Sequence, residues 1–156
     1  MTLTINKLGE NLGAEVTEID LESPIDDEVF DQVRRAFYKY SVLVFHDQDI
    51  DEDQHIAFSK RFGPLEATMV NDHSGGGGWV NHISNVDDKG NIIPPDDNRM
   101  LYNTANSLWH SDSSYKKVPA RASLLFAEEV PPEGGGTEYA SMKASYAALS
   151  EEKKPN

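Results

Sequence analysis

Leu108-Trp109-His110-Ser111-Asp112-Ser113-Ser114-Tyr115 is the stretch on which the reading of this chain turns. Side chains alternate across an extended backbone, so residues two apart share a face. If residues 107–112 form a strand, the His110 imidazole and the Asp112 carboxylate converge. Imidazole nitrogen with carboxylate oxygen is a donor pair that a divalent first-row metal accepts. It is two-thirds of the facial arrangement of two histidines and one carboxylate, which leaves three coordination positions open. His-x-Asp alone is more often a surface pair. The surroundings raise its weight: Leu108 and Trp109 precede it, Ser113, Ser114 and Tyr115 follow it, and Gly134-Gly135-Gly136-Thr137 lies downstream.

Working outward, Ala122 to Ala127 supplies a second strand candidate. Pro131-Pro132-Glu133-Gly134-Gly135-Gly136 is a turn, and residues 141–149 suit a short helix. Thr137 follows glycines beside which a ligand can approach the backbone closely. Its hydroxyl can donate one hydrogen bond to a ligand carboxylate, although a threonine that merely opens the next strand would look the same.

Upstream, a short strand is expected within residues 13–21. A helix then starts at Ser23-Pro24, with Asp26 and Asp27 suited to its positive end. Val29, Phe30, Val33, Ala36, Phe37 and Tyr40 recur at helical spacing and give it one buried face. Residues 41–45, Ser-Val-Leu-Val-Phe, read as a strand buried on both faces. Asp51 and Gln54 have the spacing of a capping box at the head of a second helix, with Ile56, Ala57 and Phe62 as its apolar stripe and Gly63-Pro64 as its stop. The glycines at 75–78 form a loop and lack the ending of a phosphate loop. Residues 79–84 look like a strand, and residues 87–99 like a long polar loop. The order is mixed α and β, with strands dominating the second half.

The whole chain is 156 residues, the size of one domain or part of one. Fourteen basic against 27 acidic residues give a formal charge of −13, which repels nucleic acid and anionic membrane surfaces. No apolar run approaches the roughly 20 residues needed to span a bilayer. There is no cysteine, so disulfides and thiolate metal sites are excluded. The first residues lack the layout of a signal peptide, and a cytoplasmic location is the expectation. His46, His55, His73 and His82 are the remaining histidines, and no spacing singles one out as a further ligand.

Taken in order, residues 41–45, Phe62-Gly63-Pro64-Leu65-Glu66, Ile83-Ser84-Asn85, residues 108–115, Val130 to Thr137 and Ala144 to Leu149 resemble the Fe(II)/2-oxoglutarate-dependent dioxygenases of the TauD/TfdA type. The chlorophenoxyacetate branch is the nearer match. The resemblance implies a mixed α+β fold built on a double-stranded β-helix (jelly roll) with flanking helices. It implies Fe(II) held by His110 and Asp112, with 2-oxoglutarate and O2 as cosubstrates. It further implies that Thr137 hydrogen-bonds a 2-oxoglutarate carboxylate, that Leu125 packs near it, and that Asn106, Met69 and Asn71 line the pocket of a small organic acid. Family members often carry aspartate where this turn has Gly136.

The resemblance covers residues 1–156 as the N-terminal portion of a family domain. The second iron histidine and the 2-oxoglutarate-binding arginine lie farther downstream in the family. Here no histidine follows His110 and no arginine follows Arg121. The expectation is therefore an incomplete jelly roll with little turnover by itself and open edges that favour self-association. The alternative is a non-catalytic fragment or metal-binding jelly-roll module that needs a partner for the missing strands.

Overall fold

The computed structural model describes residues 2–66, 78–87 and 89–154. These divide into two compact units, one of residues 1–54 with 126–156 and the other of residues 55–125.

The first unit is built on a three-stranded sheet, β1 (Thr4–Lys7), β2 (Ala14–Thr17) and β3 (Leu43–Val44), in the order β1-β2-β3. β1 pairs antiparallel to β2, with Ile5 opposite Val16, and β3 pairs parallel to β2, with Ala14 opposite Leu43. Helix α1 (Asp27–Tyr40) makes the crossover that a parallel pair requires. Ala14 and Val16 point inward from β2, and Val29, Phe30, Val33 and Ala36 point inward from α1, so the period-2 and period-3.6 patterns meet in one apolar layer with Leu3, Leu21 and Ile50. The Gln48 side chain fastens the following loop, accepting from the Leu21 N–H at 2.8 Å and donating to the Ile19 carbonyl at 3.2 Å.

Three expectations for this unit need correcting. α1 starts at Asp27, after Asp26, and not at Ser23-Pro24. Pro24 disfavours helix in the residue before it and Asp26 is still extended (ψ 156°), while Asp27 and Glu28 supply the acidic first turn. Ser41 is not strand: it ends α1 in the left-handed region (φ 66°), its N–H donating to the Phe37 carbonyl at 2.7 Å. β3 is thus two residues long and half-buried, not buried on both faces. At the other end of the chain, α4 (Met142–Ala147) begins as expected at Ser141, whose hydroxyl accepts the Ala144 N–H at 3.1 Å. Lys143 Nζ donates to the Tyr38 carbonyl at 3.1 Å and so ties α4 to α1.

Helix α2 (Glu52–Lys60) opens with a reciprocal capping box: Gln54 N–H donates to Asp51 Oδ1 at 2.8 Å, and Asp51 N–H donates to Gln54 Oε1 at 2.7 Å. Its stripe differs slightly from expectation, because Phe58 is buried and Ala57 exposed. In the second unit Phe58 meets Phe62 edge to face at 5.6 Å. The polar stretch 87–99 is more ordered than a long loop. Val86 and Ile92 form a bridge around a turn in which the Asp87 carboxylate accepts the N–H groups of Lys89 and Asn91, and Ile93 is buried. Helix α3 (Asn98–Ala105) follows.

The expected run of strands in the second half is not present. Among the described residues, 79–84, 107–112 and 122–127 join no ladder. A strand is defined by the ladder its N–H and C=O groups make with a neighbouring segment, and among the described residues these segments form none. The described residues form a mixed α/β chain with a small open sheet. No helix among the described residues is long and apolar enough to cross a membrane.

Candidate metal centre

His110 and Asp112 lie in the second unit, just after α3. The helix ends where the Ser107 N–H and hydroxyl both reach the Thr104 carbonyl, at 3.1 and 2.6 Å. Five residues later, at Asp112, the backbone turns. Ser114 Oγ donates to the Ser111 carbonyl at 3.1 Å, and Lys116 N–H donates to the Ser113 carbonyl at 2.9 Å. Ser113 is held at φ 54°, a conformation uncommon for a residue with a Cβ.

This bent segment brings the two candidate ligands together. His110 Nε2 lies 3.3 Å from Asp112 Oδ1. The two side chains converge as expected, in a segment that joins no ladder among the described residues. His110 Nδ1 lies 2.7 Å from the Leu108 carbonyl oxygen. A carbonyl only accepts, so Nδ1 carries the proton and, in the neutral ring, Nε2 keeps its lone pair. Nε2, as an imidazolium donor or as the lone pair of the neutral ring, faces a carboxylate oxygen. Two electron-rich atoms at this separation call for a proton or a cation between them. Two donors each about 2.1 Å from one ion and at right angles around it would sit about 3 Å apart, close to the spacing found. Both side chains are about half exposed, so the pair is open to an incoming ion. The donor set and its geometry therefore fit a divalent metal. Among the described residues no group of three or more His, Asp or Glu side chains gathers around a common point.

Ser123, which the sequence reading did not single out, donates to Asp112 Oδ2 at 2.5 Å. Exposure alternates from Arg121 to Leu125, with Ser123 and Leu125 both exposed. A second feature was also missed. Glu66, within the quoted Phe-Gly-Pro-Leu-Glu segment, accepts from Ser113 Oγ at 2.8 Å and is paired with Lys116. The Lys116 ammonium, and then the Ser113 hydroxyl, hold the Glu66 carboxyl below its ordinary pKa, and Glu66 in turn raises that of Lys116.

The other candidates are dispersed. Asn106 is exposed in the turn after α3. Thr137 belongs to the first unit, exposed beyond Gly134 and Gly135, which take φ 78° and 67°. A Cβ on Gly135 would lie 2.9 Å from Pro131 Cγ, whereas one on Gly136 would meet nothing within 4 Å. Position 136 has room for a side chain, so glycine there is not required by space. Met69, Asn71 and His73 lie outside the described residues. His46 pairs with Glu15 across the small sheet at 3.3 Å.

The family profile described as "Taurine catabolism dioxygenase TauD, TfdA family" matches residues 4–156. An alpha-ketoglutarate-dependent 2,4-dichlorophenoxyacetate dioxygenase of Cupriavidus pinatubonensis is 38% identical over 153 residues, covering 96% of this chain and 53% of its own length. An (S)-phenoxypropionate/alpha-ketoglutarate-dioxygenase of Delftia acidovorans is 38% identical over 154 residues, covering 96% of this chain and 50% of its own length. Among solved structures, AAD-2 in complex with Mn(II) and N-oxalylglycine superposes with a TM-score of 0.85 at 40% identity, over 97% of this chain and 51% of that one. The chain spans about half the length of the relatives it matches.

Proposed function

The chain belongs to the TauD, TfdA family of dioxygenases, and we propose that it supplies the His-x-Asp part of the Fe(II) site in a 2-oxoglutarate-dependent dioxygenase acting on a small organic acid. The observation that carries this reading is the pairing of His110 Nε2 with Asp112 Oδ1, with Nδ1 engaged elsewhere. In this role His110 offers one lone pair, and Asp112 offers one oxygen and the charge that matches a dication. When bound, Fe(II) with 2-oxoglutarate supplies the activation of O2 that hydroxylates a C–H bond or, beside an ether oxygen, leads to cleavage.

Thr137 donates its hydroxyl to a 2-oxoglutarate carboxylate, and Leu125 packs an aliphatic wall beside it. By the family resemblance we assign Asn106, Met69 and Asn71 to the primary-substrate pocket. The Mn(II) and N-oxalylglycine bound by the AAD-2 structure support this cofactor set, since N-oxalylglycine has the oxo acid and distal carboxylate of 2-oxoglutarate with N–H in place of one methylene. The names of the Cupriavidus and Delftia relatives point to aryloxy carboxylic acids as a substrate class.

We place the chain as the N-terminal portion of a jelly-roll domain working in the cytoplasm. Leu108, Trp109, Val118 and Leu125 are each about two-thirds or more exposed, an apolar surface that further strands of such a domain would cover. Two protein donors hold a metal less firmly than three. The chain alone should therefore bind cosubstrate weakly and turn over little. The second reading, a non-catalytic fragment or metal-binding module that needs a partner, draws on the same exposed surface.

Equilibrium dialysis of 2-oxoglutarate with and without Mn(II) tests the proposal. Retention should rise with metal and fall in Thr137→Val and His110→Ala. Retention that ignores the metal would remove the 2-oxoglutarate reading. Robust succinate release by the 156-residue chain with Fe(II), ascorbate and 2-oxoglutarate would remove the need for a partner.

A further inference from the structure

Asp112 is the weaker-held of the two candidate ligands. Its backbone lies in an exposed turn next to the left-handed Ser113, and its side chain is about half exposed. A carboxylate in that position turns freely about its last bond, and its two oxygens are then equivalent. In this structure they are not. Oδ1 faces His110 Nε2 at 3.3 Å, and Oδ2 accepts from Ser123 Oγ at 2.5 Å.

Ser123 is itself tied to the unit's apolar centre. Two residues before it, Arg121 Nη1 donates to the Phe62 carbonyl at 3.3 Å, and Phe62 is buried against Phe58. The hydroxyl thus reaches Asp112 from a segment anchored independently of the 110–116 turn, eleven residues farther along the chain. A hydroxyl is also suited to this task by its charge. It fixes one oxygen yet leaves the carboxylate's full negative charge for a dication, where a lysine or arginine would compete with the metal for it.

We propose that Ser123 is a positioning residue for the metal centre, holding Asp112 Oδ2 so that Oδ1 stands ready beside His110 Nε2. The inference rests on the reading of His110 and Asp112 as metal ligands. The partners that orient a ligand typically change metal affinity 10–100-fold when removed, and Ser123→Ala should fall in that range.

The test is titration of the 156-residue chain with Mn(II), followed by the free-ion EPR signal. Pulsed EPR on the same samples reads the imidazole nitrogen coupled to bound Mn(II). Ser123→Ala should bind Mn(II) at least tenfold more weakly while keeping the nitrogen coupling, because the ligands themselves remain. Ser123→Thr, which retains the hydroxyl and suits an extended run, should stay within about threefold of wild type. Should Ser123→Ala fail to fold, the isosteric pair Ser123→Thr and Ser123→Val carries the comparison, since they differ only in the hydroxyl. Equal affinities for wild type and Ser123→Ala, or for the Thr and Val variants, would overturn the proposal. His110→Ala separates this from failure of the underlying reading. If that variant binds Mn(II) as well as wild type does, the metal centre itself is wrong. If it loses Mn(II) while Ser123→Ala does not, only the role of Ser123 is.

Discussion

At the scale of single residues, two carboxylates of this chain carry different tasks because their neighbours differ. Asp112 faces an imidazole nitrogen and a neutral hydroxyl, which leaves it a full charge. Glu66 faces an ammonium and a hydroxyl, and its charge is spent on holding the turn that follows Asp112. That clamp has a definite pH window. The Glu66 carboxyl is shifted below its ordinary value of 4.5, so its contribution is complete above 4.5 and is lost as pH falls through the lower folded value. Lys116 is shifted above 10.5, so its contribution is complete below 10.5 and is lost as pH rises through the higher folded value. Acidification below pH 4 should loosen the 113–116 turn before the chain unfolds globally. Emission of a Trp79→Phe variant, in which Trp109 is the sole tryptophan, should show an early acid transition that Glu66→Gln lacks; identical acid profiles would refute the clamp. The His110–Asp112 pair was legible in the sequence because its residues are two apart and chemically distinctive. Ser123 and Glu66 were not, because each reaches the site across a long separation and serine and glutamate are common on any surface.

At the scale of elements, local signals were the readable ones. The Asp51–Gln54 capping box depends on residues three apart, and it occurs. The inward stripe of α1 also stands, since periodicity is a property of the helix itself. β1 escaped notice because Ile5 is its single apolar residue and its pairing with β2 defines it. α3 escaped because Asp96 and Asp97 read as loop polarity. Asp97 in fact opens the helix, accepting the Arg99 N–H at 2.9 Å and its guanidinium at 3.0 Å, and the arginine holds its carboxyl at about 2. The strands expected at 79–84, 107–112 and 122–127 depend on the converse, long-range pairing: β-favouring residues make a strand only as part of a ladder, and among the described residues these segments form none. The packing of α1 on β2 gives the most direct prediction at this scale. Phe30 is buried in that layer, and Phe30→Ala should cost about 3–5 kcal/mol. Urea unfolding followed by circular dichroism checks it, and a loss well under 1 kcal/mol would mean that the layer is loosely packed.

At the scale of the whole molecule, a net charge of −13 and an open apolar surface coexist. Leu108, Trp109 and Leu125 are all largely exposed, and large apolar side chains are costly as bare surface. Family membership, the half-length match to its relatives and a site with two protein donors among the described residues agree with one another. Each fits a chain that contributes part of a dioxygenase centre. The claim on which this rests is that His110 and Asp112 bind one divalent ion together. Pulsed EPR of Mn(II) added to the chain measures that directly. The account predicts coupling to one imidazole nitrogen in the wild-type chain, lost in His110→Ala, and weakened ion uptake in Asp112→Asn. Bound Mn(II) without nitrogen coupling, or coupling that survives His110→Ala, would contradict it.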